Sequence, residues 1–433
     1  MLIELRVENH RSIRDEQALT MQAADDGDLS DPRPRQVPGF AGRLLPAAAL
    51  YGANASGKSN VLSALGFMRD AVIQSLGTWA PDGGVPRDPF AWGAKSSEPS
   101  VFEVMVLVAG MRYQYGFVTD DRRVLEEWLY AWPGNEKQTW FERGGDLFNF
   151  GEHLIGENQL VGRVTRPNAL FLSAAVQLRH QQLSPLYGWF RDLRTINVAR
   201  RGQGAATDTA SENLMLRTLE IHNARHVQLS LFPEEETTAE RILSFTELLC
   251  AADVGIVDIK VERTSAGSAH RNLGQRLRVL LRHRSNTEDA WLTLEDESRG
   301  TRTLFHMGHL LLDLLENGGL VLIDELERSL HPVLALKILA QFNDPRTNPH
   351  NAQILFTTHD THLLGTILGE PPLRRDQVWL TEKDPDGATC LYPLTDYKPQ
   401  PAENIERGYL QGRYGAIPFL GDLVNVGKAA DGE

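Results

Sequence analysis

Cysteine is nearly absent: the 433 residues carry two, Cys250 and Cys390. They lie far apart with no C-x-x-C pair or ligand-like spacing, which excludes a disulfide-stapled scaffold and a cysteine zinc site. Free thiols in a reducing cytoplasm are expected. Long apolar runs are missing as well. The longest, around LLLDLL, is shorter than the ~20 residues that span a bilayer, so no membrane partner is expected. The N-terminal MLIELRVENHRSIRDEQ mixes charges into an alternating pattern and lacks the apolar centre of a signal peptide. A basic excess is also lacking. With 44 Lys and Arg against 57 Asp and Glu, the net charge of -13 argues against a chain built mainly to coat nucleic acid. What remains is an ordinary globular composition, 42% hydrophobic and 23% charged, enough for two or three domains.

The strongest signal is YGANASGKSN, residues 51–60, where Gly52, Gly57, Lys58 and Ser59 match G-x-x-x-x-G-K-[ST]. The apolar run LLPAAALY precedes it and reads as a buried strand. SNVLSALGFMRDAVIQ follows with apolar residues at helical spacing. In that setting the backbone of Gly52, Ala53, Asn54, Ala55, Ser56, Gly57 and Asn60 is expected to turn its N–H groups toward phosphates. Lys58 would reach the β- and γ-phosphates, and Ser59 would ligate Mg2+. The bland alternative is a glycine-rich turn before a helix.

Two further strand ends carry candidates. LVLIDELE reads as a central buried strand, with Asp324 expected to hold Mg2+ opposite Ser59 and Glu325 expected to polarise the attacking water. ILFTTHD ends another strand at His359, where an imidazole can bond a γ-phosphate or the lytic water. Lys58, Glu325 and His359 form the expected catalytic set, with ATP and Mg2+ as cofactors. Two solvated acids and an idle histidine are the plainer readings.

The chain reads as three segments. Residues 1–150 hold the glycine loop, two Asp/Gly/Pro-rich surface loops and three antiparallel strands, VFEVMVLV, RYQYGFVT and VLEEWLYAW, the first two joined at Ala109–Gly110. Residues 151–252 form a compact helical insert without a sustained heptad seam. Residues 253–433 resume with strands VGIVDIKVER and QRLRVLLRHR, an apolar helix from Thr303 to Leu315, the two buried strands above and a hairpin around DPDG. No internal repeat is present.

Glycine loop, acidic strand end and strand-terminal histidine, in that order, resemble the ABC-type ATPase heads of the SMC, RecF and OLD proteins. The fold implied is α/β, an ABC-type P-loop ATPase head: a mixed sheet flanked by helices, a small antiparallel β subdomain and the helical insert. IDELERSLHP looks like the acidic motif and D-loop of that group, with Ser329, Leu330 and His331 as D-loop candidates. The usual LSGGQ signature has no copy here. The nearest stretch is ESRGTR, with Ser298, Gly300 and Thr301 as signature candidates acting on the nucleotide of a second subunit. The resemblance thus implies a homodimer through a composite ATP site, with a larger homo-oligomer as an extension.

MLIELRVENHRSI, GANASGKSN, ESRGTRTLF, LIDELERSLHP, TTHDTHLL and ENIERGYLQGRYGAIPFLG together resemble prokaryotic ATPases of the RloA and AbiL type, related to the ATPase component of PARIS antiphage systems. That likeness implies a cytoplasmic antiviral sensor or scaffold for an effector, a nuclease or another toxin. A RecF-like clamp that binds DNA directly is the alternative, and a transporter motor is disfavoured by the missing LSGGQ.

Other features are weighed down. The acids of TEKDPDG crowd one turn, unlike the separated acids of a TOPRIM nuclease, so no nuclease of its own is expected. Lys383 stands one position too late for the guanine-reading motif. His306 and His309 share a helix face with no third ligand and read as packing residues. Arg191, Arg194, Arg200 and Arg201, and Arg276, Arg278, Arg282 and Arg284, read as solvated faces ahead of DNA contacts. The tail GYLQGRYGAIPF reads equally as a partner surface or a packed element.

Overall fold

The computed structural model of the protein describes residues 1–24, 30–134, 136–198, 246, 249, 250, 255–264, 276–287, 289–328, 330–366, 369–400 and 403–418. They fall into two compact units: Leu2–Arg191 with Leu355–Glu433, and Asp192–Ile354 with Met1. The first unit thus joins an N-terminal stretch to a C-terminal one. The fold is α/β, as the alternation of apolar strands and amphipathic helices implies. No helix among the described residues is long and apolar enough to cross a membrane.

In the first unit the three expected antiparallel strands are present as Ser100–Val108, Met111–Thr119 and Val124–Trp132. They belong to a larger sheet of seven strands, closed on one side by Leu2–Glu8 and Gln17–Thr20 and on the other by the hairpin Gln138–Gly144 and Leu147–Phe150. Sequence patterning missed that hairpin, which is short and rich in charge around its Gly144–Gly145 turn. Alternation along Ser100–Val108 turns Phe102, Val104 and Val106 inward, and Phe102 packs on Phe67 at 4.8 Å between ring centroids. The sheet therefore offers an apolar face to the helix that carries Phe67.

That helix, Lys58–Gln74, buries Val61, Leu62, Leu65, Met68 and Val72, the i, i+3, i+4 stripe of an amphipathic element. Its far end is held by Arg166, whose guanidinium donates to Ser75 O (2.8 Å), Leu76 O (2.9 Å) and Trp79 O (3.1 Å). These carbonyls belong to the C-cap and to the turn beyond it, where a cation also complements the negative end of the helix dipole. Before it runs the strand Ala47–Gly52, buried along its whole length and parallel to Val378–Lys383, with Gly52 opposite Thr381. Val378–Lys383 turns back as Thr389–Pro393, the hairpin expected around DPDG.

The tail is packed at its tyrosines, while Leu410 and Ile417 are exposed. Tyr409, Tyr414 and Ala416 are buried, and Tyr409 meets Tyr51 edge to face at 5.6 Å. Helices Asn158–Val164, Phe171–Gln177 and Ser184–Asp192 belong to the expected helical stretch. The helical patterns SENLMLRTLEIHNA and most of AERILSFTELLCAA, like Arg200 and Arg201, lie outside the described residues.

In the second unit Arg194–Ile196 pairs in parallel with Leu320–Ile323, four apolar residues that are all buried. Ile256–Thr264, Arg276–His283 and Trp291–Thr293 form an antiparallel sheet. On one face of it, Asp258 faces Arg282 at 3.4 Å, and Lys260 and Arg282 lie over the Trp291 ring at 4.4 and 5.8 Å. Arg282 is therefore part of a mixed-sign ladder, as a solvated strand face requires. Helices Arg299–Asn317 and Pro332–Asn343 also belong to this unit.

His10 joins the end of Leu2–Glu8 to the helix Lys58–Gln74. Its Nε2 lies 2.8 Å from Ser63 Oγ, whose proton goes to Asn60 O, so Nε2 carries the imidazole hydrogen. Burial, with Arg11 adding to it, pushes the His10 pKa down to about 3. The folded chain keeps this ring neutral while an unfolded chain protonates it below about 6.5. Stability contributed this way is present above that value and is lost as pH falls toward the folded value, at up to ~1.4 kcal/mol per pH unit. His10→Gln is expected to flatten that slope, which denaturant titrations at about pH 7 and about pH 5 will measure; equal slopes in the two proteins would contradict a neutral buried ring.

Candidate nucleotide-binding site

Between the strand end at Gly52 and the helix start at Lys58 the backbone passes through left-handed conformations at Gly52 (φ 156°), Ala55 (φ 63°) and Gly57 (φ 111°). Such alternation curls a loop so that successive N–H groups face one concave side. The loop also rests against the hairpin. A Cβ on Gly52 would lie 2.4 Å from Thr381 O and from Thr381 Oγ1, and one on Gly57 would lie 2.0 Å from Thr389 Oγ1. Both positions exclude a side chain for a steric reason that adds to their φ.

Lys58 is buried, and its Nζ donates to Gly52 O at 2.8 Å and Ala53 O at 3.0 Å. The ammonium is therefore folded back over the loop. The N–H groups of Gly57, Lys58 and Ser59 open the helix, at the end where the dipole favours an anion. An ammonium, a helix N-terminus and a curled loop together make an anion site, and a polyphosphate fits that donor set. Asn54 and Ala55 are exposed, Ala53, Ser59 and Asn60 half-buried, and Ser56 and Gly57 buried.

His359 lies in the same unit, exposed just beyond the strand Gln353–Thr357. Thr358 N donates to Leu50 O at 3.1 Å, which sets this strand end beside the strand leading into the loop. The residues after it are pinned: Tyr51 OH donates to Asp360 O at 2.9 Å, and Asp360 Oδ1 caps His362 N at 3.0 Å. The loop residues and His359 are thus brought to neighbouring strand ends.

The other candidates lie in the second unit. Asp324 follows Leu320–Ile323 with its N–H on Ile196 O at 3.0 Å. Glu325 is exposed and held at φ 56°, unusual for a residue with a side chain, and Arg328 Nη1 lies 3.7 Å from its Oε2. A strained acidic residue at the end of a buried strand is the kind of outlier that motivates a functional assignment. Ser298 caps the helix Arg299–Asn317 by accepting from Thr301 N at 3.1 Å, with Thr301 Oγ1 at 2.9 Å, and Gly300 is half-buried in its first turn. Leu330 is buried, His331 caps Pro332–Asn343 through Nδ1, and Ser329 lies outside the described residues.

Residues 47–365 match the family described as "AAA domain, putative AbiEii toxin, Type IV TA system". The chain belongs to this family. No curated protein matches it. Among solved structures, the SMC head domain from Thermotoga maritima is 12% identical with a TM-score of 0.37, the match covering 90% of this chain and 98% of that one. The SmcHead bound to the C-winged helix domain of ScpA is 11% identical with a TM-score of 0.46, over 92% and 99%. The Smc head domain with an extended coiled coil bound to the C-terminal domain of ScpA, derived from Pyrococcus furiosus, is 12% identical with a TM-score of 0.40, over 92% and 97%.

In this AbiEii-type AAA chain the supports of the loop escaped sequence reading. Thr381, Thr389 and Ser12 carry no motif, and Thr389 stands 333 positions from Ser56, whose carbonyl it contacts. Thr381 and Thr389 stand on the two strands of the hairpin expected around DPDG, whose pattern predicts the turn and not its contact with the loop. Gly57→Ala is expected to weaken nucleotide binding at least tenfold and to lower the unfolding temperature, since it adds both strain and a collision with Thr389. Calorimetric titration with ATP and a thermal melt measure the two effects.

Proposed function

We propose that this chain is an ABC-type ATPase that uses nucleotide as a switch, supported chiefly by the loop whose two glycines admit no Cβ and whose buried Lys58 stands at a helix N-terminus. Within that reading Lys58 and the loop amides bind the β- and γ-phosphates, and Ser59 with Asp324 holds Mg2+. The metal, when bound, supplies charge neutralisation on the phosphates. Glu325 takes a proton from the attacking water, and His359 bonds the γ-phosphate. Ser298, Gly300 and Thr301 at a helix N-terminus are suited to close the site of a second copy, so ATP favours a homodimer through contacts the open form lacks. Ser329, Leu330 and His331 fill the D-loop role.

The biological reading is a cytoplasmic switch of the RloA, AbiL and PARIS kind, gating a nuclease or toxin effector in antiviral defence. Membership of a family described by a toxin of a toxin–antitoxin system supports it.

Two variants test the mechanism. Lys58→Ala is expected to abolish ATP binding in calorimetry. Glu325→Gln is expected to bind ATP, lose at least ~100-fold in hydrolysis and accumulate as a dimer in light scattering. Normal turnover in Glu325→Gln removes the base assignment, and wild-type protein that ignores ATP removes the whole reading. Tight, salt-sensitive DNA binding that strengthens with ATP would favour the RecF-like alternative instead.

A further inference from the structure

Two hydroxyl chains meet at Ser56, the residue just before Gly57, and their links to it are buried. On one side Asn60 Nδ2 lies 2.6 Å from Ser12 Oγ, Ser12 Oγ lies 2.7 Å from Thr389 Oγ1, and Thr389 Oγ1 lies 2.8 Å from Ser56 O. The proton positions follow from the chemistry at each end. A carbonyl oxygen only accepts, so the single Thr389 proton points at Ser56 O. Thr389 then accepts from Ser12, and Ser12, its proton used, accepts from the Asn60 amide. Lys383 Nζ, at 3.2 Å, adds a second donor to Thr389 Oγ1. Every link runs one way, from the first turn of the helix back into the loop that precedes it.

On the other side Thr381 Oγ1 donates to Tyr51 O at 3.2 Å and therefore accepts from Ser56 Oγ at 2.6 Å. The hydroxyl and the carbonyl of Ser56 are thus both fixed, by residues of the two strands of one hairpin. Ser56, Thr381 and Thr389 are each no more than 2% exposed, so water does not replace a lost partner. Ser12 also receives Thr389 N on its carbonyl at 2.7 Å, which ties the hairpin to the N-terminal segment.

We propose that Thr389 is a positioning residue for nucleotide binding: its hydroxyl holds Ser56 O, and with it the peptide that leads into Gly57 and Lys58, in the conformation that receives phosphates. The inference rests on the nucleotide reading of the loop. Thr389 touches no phosphate in this account and acts through the loop alone.

Thr389→Val keeps the shape beside Gly57 and removes the hydroxyl, whereas Thr389→Ser keeps the hydroxyl and removes the methyl. In the full chain, ATP titration and steady-state hydrolysis are expected to show Kd and KM about tenfold higher in Thr389→Val with kcat changed less than about twofold, and near-complete recovery in Thr389→Ser. Ser12→Ala leaves Ser56 O bonded and is expected to raise Kd about threefold. Wild-type affinity in Thr389→Val, or a Thr389→Ser variant as impaired as Thr389→Val, overturns the proposal, the second result assigning the effect to methyl packing. If Thr389→Val does not fold, Thr389→Ala, which removes the hydroxyl without adding bulk beside Gly57, decides: a Kd raised about tenfold supports the proposal and a wild-type Kd refutes it. Lys58→Ala separates the two levels. Loss of binding there with unchanged Thr389→Val overturns this inference only, while wild-type protein that binds no ATP overturns both.

Discussion

The close contact between the glycine loop and the hairpin Val378–Pro393 is the constraint on which the first unit depends. Gly52 and Gly57 approach Thr381 and Thr389 so nearly that neither position has room for a methyl group. That contact sets the direction in which the helix Lys58–Gln74 leaves the loop, and the direction sets where its N-terminal amides and the Lys58 ammonium point. The rest of the unit holds the same helix from other sides. Phe102 of the seven-stranded sheet packs on its Phe67, and Arg166 binds the carbonyls of its C-cap and of the turn beyond. Packing and end-capping thus make the helix a rigid mount for the loop.

Polar groups buried around this mount follow one rule, that a group taken out of water must find its partner in the chain. Ser56, Thr381 and Thr389 satisfy it with neutral hydroxyl bonds. Glu127, fully buried in the antiparallel sheet, satisfies it by accepting from Phe171 N, Leu172 N and Tyr115 OH, with Arg143 3.6 Å away. Burial pushes its carboxyl up against the opposing pull of Arg143. His10 meets it at Nε2, through Ser63 Oγ, while its buried Nδ1 finds no partner and the ring stays neutral. In the second unit, Arg282 lies on an open strand face and is matched across strands by Asp258. Charge there is balanced by neighbours, while at the loop Lys58 stands at the helix start and Lys383 beneath it on Thr389.

How far the site could be read in advance depended on how local each determinant is. Gly52, Gly57, Lys58 and Ser59 are legible because a phosphate loop is a contiguous stretch, and strand, turn and helix patterns bracket it. Leu320–Ile323 and Gln353–Thr357 are legible because a fully buried strand needs an unbroken apolar run. The hairpin Gln138–Phe150 was not, since a short edge pair with charged and aromatic residues has no distinct period. The tail was undecided for a different reason: Tyr409 and Tyr414 suit a docking surface and a core equally until Tyr51 and Glu403 are found beside them.

The sequence by itself determined the α/β class, the glycine loop with its helix and the residues proposed to bind phosphate. These are consequences of short-range periodicity and of backbone freedom at particular glycines. Only the tertiary structure decided what lies beneath the loop. Ser12, Thr381 and Thr389 come from opposite ends of the chain, and they meet at Ser56 because a parallel strand pair sets Thr381 opposite Gly52 and the antiparallel return places Thr389 under Gly57. Hydroxyl residues are common and a hydrogen bond between distant segments leaves no periodic trace, so no inspection of the letters alone selects those three.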